Sequence, residues 1–445
     1  MAGPRNINPN DMISVRPAPA RRVAPVVPPA PWLFAGAMAL SSAVAVFGGL
    51  VLGYMAATGH GIGDTKWTEA VQSHGRLQLF SWVGVFVLAL LFEFGVRLNQ
   101  APMLPAKPRM AVLVACGLGP IAAAAGQLGV PPDRGLMVAG SLLLAAGAVG
   151  GAWLVWRIPA PASLSIDVHP LWLRFSASWL TLAALAHLLA ILRADGRILG
   201  LSDTWFVNEV TIRGFVTFAI VGVGFRAFPG HLGLPVVEQR WQQVLLAWFT
   251  ASVALAALSA GAFGLEGAAW LTRLADLSFA AALLALTWRT GVLRALRRPP
   301  PGERYALLVP VAWLGLVAYA VALAAQALST DLSERTLYEE GAIRHLFMLG
   351  FMAPLMAAMA HIVLARFATG RLLWENRLTA AFVCLVAATP LRVLPVLFAE
   401  SPGSVGKYLL ATAVLFTTVG LGLMGAVAMR TATVAWQRQR PRRPV

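Results

Sequence analysis

The chain has 445 residues, of which 58% are hydrophobic and 12% charged, and its mean hydropathy is +0.71; soluble domains carry about 25% charged residues. A water-soluble globular fold is therefore excluded, because apolar runs recur from Trp32 to Met429 and runs of about 20 residues need a bilayer. The net charge of +16 follows a topological bias and not a nucleic-acid-binding patch. Cys116 and Cys384 both sit in apolar stretches, which excludes a disulfide framework, a thiolate zinc site and a four-cysteine iron–sulfur cluster.

In chain order, residues 1–30 are rich in Pro and Arg and are predicted to form a disordered cytoplasmic tail. They are not expected to be a cleaved signal peptide, since the apolar segment after Trp32 runs on for about 25 residues. Hydropathy predicts twelve spans, at 33–57, 74–96, 110–129, 136–156, 171–192, 209–228, 243–264, 268–292, 305–328, 343–365, 378–398 and 408–429. The fold class is all-α, a polytopic membrane bundle over 31–430, followed by a basic tail at 431–445. Grouped by these spans, 23 of the 35 Lys and Arg lie on the amino-terminal side and five in the opposite loops. The positive-inside rule then places both termini in the cytoplasm, with the bacterial inner membrane as the expected location and the lipid bilayer as the main partner.

The remaining seven arginines are Arg76, Arg174, Arg193, Arg213, Arg273, Arg344 and Arg392, and all but Arg174 lie toward the basic-poor ends of their spans. Topology does not explain them, and a charge facing lipid costs a few kcal/mol. His74, His187 and His345 share that layer. Imidazole supplies axial nitrogen to iron and guanidinium pairs with carboxylates, so the layer suits an anionic planar ligand such as heme; snorkelling arginines and interfacial histidines are the bland alternative. His345 and His361 are 16 residues apart, about 24 Å along a helix, and cannot share a metal. Met348, Met352, Met356 and Met359 lie between them and are read as packing around a proline kink before a Cu(I) path. Glu93 and Asp276, deep in their spans, are candidates for a proton path or for buried, paired carboxyls.

Three segments carry a family likeness. SHGRLQLFSWVGVFVLALLFEFGVRL from Ser73 to Leu98, VGVGFRAFPGHLGL from Val221 to Leu234, and IRHLFMLGFMAPLMAAMAHIVLARFATGRLL from Ile343 to Leu373 resemble the second, sixth and tenth spans of the NnrS family. These are twelve-span heme- and copper-containing bacterial membrane proteins associated with the response to nitric oxide, themselves similar to the catalytic subunit of heme–copper oxidases. The resemblance implies low-spin heme held by His74 and His345. Charge and depth alone, and not the resemblance, make Arg76 and Arg344 candidate propionate partners and His187 a further cofactor-binding candidate. The resemblance admits copper, nitric oxide and a redox partner as further ligands. Two departures argue against an oxidase-type bimetallic centre: position 343 is Ile343, and the seventh span has no His. The expected function is NnrS-like heme binding in nitrosative stress or denitrification. The alternatives are a secondary transporter for an anionic substrate and a degenerate oxidase-like electron-transfer subunit.

Overall fold

A computed structural model of the chain describes residues 30–58, 64–160, 168–261, 269–297, 305–329, 337–397 and 404–439. The two tails, apart from residues 30 and 431–439, and His60 lie outside the described residues. Among the described residues the chain is helical, and twelve helices are long and apolar enough to cross a membrane. We number them α1 Pro31–Met55, α2 Thr65–Leu98, α3 Ala106–Gln127, α4 Asp133–Trp156, α5 His169–Arg193, α6 Leu201–Leu232, α7 Gln239–Ala260, α8 Ala269–Thr290, α9 Ala306–Ser329, α10 Glu339–Leu364, α11 Glu375–Val396 and α12 Val405–Gln439.

Three helices form the centre. The most apolar stretches of α2, α6 and α10 are 94%, 83% and 100% buried in protein, against 28–61% for the other nine. The central helix therefore recurs at every fourth span. The outer helices show lipid their large apolar side chains, among them Phe47, Trp153, Trp270 and Leu328. That exposure is the expected solution where the surrounding solvent is hydrocarbon.

The same three central helices depart from regular α geometry. Each contains a π-helical stretch, at Leu77–Gly84 in α2, Val210–Val216 in α6 and Met348–Met352 in α10, with a further one at Ala365–Thr369 beyond the end of α10. π turns are rare and concentrate at functional sites. In each case the π stretch lies just beyond the polar residues of that helix, or includes them: Arg76, Glu209 with Arg213, and Arg344 with His345.

Twelve spans are present as expected, but α2 and α6 begin earlier than hydropathy indicated. His74 does not open its helix; α2 starts at Thr65, nine residues before it. The stretch TKWTEAVQSHGR is polar overall yet buries Glu69, Ala70, Ser73 and Arg76. A window that scores apolar runs stops where a helix buries polar groups against protein instead of lipid. Glu93 proves to be a paired carboxyl. It accepts from Arg109 at 2.7 Å, with Arg97 at 3.7 Å, and both Glu93 and Arg109 are fully buried.

Small residues let the helices close. A Cβ on Gly119 of α3 would stand 2.6 Å from the carbonyl oxygen of Gly140 on α4. On Gly315 of α9 it would collide with the Gly350 carbonyl in the π stretch of α10. Such backbone approach is the usual device for packing helices in lipid. Gly315→Ala should therefore push α9 from α10 and destabilise the protein by about 1–3 kcal/mol, read as a lower melting temperature in detergent, while Gly422→Ala, where a Cβ meets nothing within 4 Å, should leave it unchanged.

Candidate functional site

The basic-poor half of the bundle holds three polar groupings. The first brings together His74 and His345. Their ring centroids are 6.2 Å apart and their planes are inclined by only 14°. Two metal–imidazole bonds of about 2 Å with their nitrogens in line, and about 1 Å from each nitrogen to its ring centre, would set two ring centres about 6 Å apart; the spacing here equals that, in a pair whose rings are stacked.

Both rings are held by backbone. His74 Nδ1 lies 3.1 Å from the Gly48 carbonyl of α1, and one turn further along, Gln78 Nε2 donates to the Ala45 carbonyl at 3.0 Å. Two side chains at i and i+4 thus hook the same neighbouring helix. His345 Nδ1 lies 2.6 Å from the Gly341 carbonyl in the turn preceding it. A carbonyl only accepts, so each Nδ1 carries the proton and each Nε2 keeps its lone pair. This is the orientation device of metal-bound imidazole.

Among the described residues no group of three or more His, Cys, Asp or Glu is placed to hold a metal ion. Two imidazoles alone make a poor cage for a bare divalent ion, whereas iron in a porphyrin asks the protein for only its axial ligands. The donor set thus fits a heme better than a free metal. Arg392 of α11 brings its charge close to both rings, and its Nη2 is 3.6 Å from where a Gly341 Cβ would stand. Sequence reasoning placed Arg392 in the polar layer without assigning it to the site; its level on α11, matching that of the two histidines, was the available signal.

The second grouping joins α6, α8 and α10. Arg213 pairs with Glu209 on its own helix and with Asp276 of α8 at 2.5 Å. Arg344 lies 3.9 Å from Glu209 and 3.3 Å from Glu340. Asp276 is therefore a paired carboxyl. A cavity of about 10 Å³, lined by Glu209, Arg213, Tyr319, Glu340 and Arg344 among others, has room for about one water. Arg344 adjoins His345 in sequence, but its guanidinium is engaged by this network.

The third grouping lies across α2 from the first. Arg76 follows His74 by two residues, about 200° around the helix, and its charge acts on His187 of α5. His187 also packs near Phe80, ring centroids 6.0 Å apart. The structure thus joins His74 with His345 and sets Arg76 and His187 together elsewhere.

The other candidates have structural roles. His361 Nδ1 lies 2.9 Å from the Ala357 carbonyl and Nε2 3.3 Å from Thr379 Oγ1. Met352, Met356 and Met359 line an apolar cavity of about 40 Å³ with Phe86, Phe94 and Phe228.

No protein-family model matches the chain, and comparison with curated proteins finds no match either. The likeness in the three quoted segments stands beside the geometry without further support.

Glu209 is the junction of the second grouping, touching both Arg213 and Arg344. Glu209→Ala leaves a buried guanidinium short of a partner and should cost about 3–5 kcal/mol. Glu238→Ala, which breaks an exposed pair with Arg240, should cost less than about 1 kcal/mol. Melting of the two variants in detergent compares them directly.

Proposed function

We propose that the chain is an NnrS-like heme-binding protein of the bacterial inner membrane, acting in nitric-oxide or related stress physiology, with His74 and His345 as the axial ligands of one heme. The observation that supports the proposal is the imidazole pair with ring centroids 6.2 Å apart, each Nδ1 proton held by a carbonyl so that each Nε2 keeps its lone pair. Arg392, whose charge reaches both rings, and Arg344, next in sequence to His345 and paired with Glu209 and Glu340, are the cations near the pair that could face a propionate.

A heme held by His74 and His345 would supply a one-electron redox centre. The second reading is an oxidase-like subunit that passes electrons to a partner. The transporter alternative leans on broken helices near the midplane. Here α3, α9, α10 and α11 each run as one helical span through Pro120, Pro310, Pro354 and Pro390.

Purified protein should show a Soret band and bind heme with iron at one equivalent. His74→Ala and His345→Ala should each abolish the low-spin spectrum, and His361→Ala should leave it intact. A folded, colourless wild type that does not take up hemin overturns the proposal. Reduction of the bound heme by a quinol, with no spectral change on adding nitric oxide, identifies the electron-transfer reading.

A further inference from the structure

Among the described residues three arginines are buried to within a few per cent of complete: Arg76, Arg109 and Arg213. Burial of a guanidinium is tolerated when a carboxylate and hydrogen bonds accompany it. Arg109 has Glu93 at 2.7 Å, and Arg213 has Glu209 and Asp276. Arg76 has no carboxylate among the described residues, and its Nε and Nη1 are buried with no hydrogen-bond partner. His187 Nε2 is likewise buried without a partner, and its ring packs near Phe80, four residues along α2 from Arg76, with centroids 6.0 Å apart.

A polar stripe leads to this pair from the basic-poor face. Glu69, Gln72, Ser73 and Arg76 recur at i, i+3, i+4 and i+7, one face of α2. At the top of the stripe Arg197 donates to Glu69 at 2.9 Å and lies 3.6 Å from Asp133. Below it, Gln72 donates to the Leu199 carbonyl at 2.9 Å, Gln127 donates to Gln72 at 2.7 Å and Ser73 donates to Gln127 at 3.1 Å. Glu69 is not the missing counter-charge of Arg76: it stands two turns away, about 10 Å along the axis, and is taken by Arg197.

We propose that Arg76 and His187 hold a small monovalent inorganic anion, of the class of chloride or nitrate, admitted along the polar stripe of α2. The guanidinium supplies the charge and two free donors, and the imidazole supplies a third donor when Nε2 carries its proton. Ser73 and Phe80, one turn to either side of Arg76 along α2, are both buried. The site faces away from the His74–His345 gap and is independent of the heme assignment.

Ligand that binds only the folded state raises its melting temperature with concentration. The test is the melting of full-length, detergent-purified protein in chloride or nitrate against gluconate at constant ionic strength. The wild type should gain stability saturably. Arg76→Gln should lose that gain, and Arg134→Gln, at an exposed arginine, should keep it. Should Arg76→Gln fail to fold, Arg76→Lys and His187→Ala serve instead, each expected to respond at roughly tenfold higher anion concentration. A wild type indifferent to the anion, or an Arg76→Lys variant with an unchanged midpoint, overturns the site. A response seen in heme-free protein but absent after heme loading assigns the counter-charge to a porphyrin carboxylate and also overturns it.

Discussion

The cost of leaving an ionised side chain in hydrocarbon organises this molecule. Charged residues within the bundle must turn toward protein and find partners there, and the three central helices carry several of them, paired in part with Arg109 of α3 and Asp276 of α8. α2 brings Glu69, Arg76 and Glu93, α6 brings Glu209 and Arg213, and α10 brings Glu340 and Arg344. These are the helices most completely enclosed by their neighbours. The apolar helices take the lipid-facing positions, where an exposed Phe47 or Trp270 costs nothing.

The π turns fit the same logic. A helix enclosed on all sides meets neighbours around its whole circumference, and an i→i+5 turn shifts the residues that follow by about one position relative to an ideal helix. In α10 the polar turn holding Arg344 and His345 thereby meets one set of neighbours and the run Ala353–Leu364 another, with the missing Cβ of Gly315 leaving room for the Gly350 carbonyl. The irregularity lies between the half that carries chemistry and the half that packs.

Twelve spans were legible in the residues, because a run of apolar side chains records lipid contact directly. The starts of α2 and α6 were not, because Thr65–Arg76 and Leu201–Glu209 are polar stretches buried in protein, and hydropathy cannot tell protein from water as their surroundings. The pairing of His74 with His345 was anticipated from the family likeness, and the geometry brings them together. Residue type and depth alone grouped Arg76 with His74. Two residues of separation place them on opposite faces of α2, a distinction that needs the helix and its neighbours. Arg392 was visible as an arginine at the right level, but only packing shows that α11 stands beside both imidazoles.

One helix carries a metal-ligand candidate on one face and, two residues on, a guanidinium with no carboxylate among the described residues on the other. His74 is fixed by Gly48 and Gln78 by Ala45, both on α1, while the opposite face is fixed through Gln72, Ser73 and Gln127. A rotation of α2 that improved one set of contacts would strain the other. The two faces of α2 are thus held by separate neighbours, α1 on one side and the Gln72–Ser73–Gln127 network on the other.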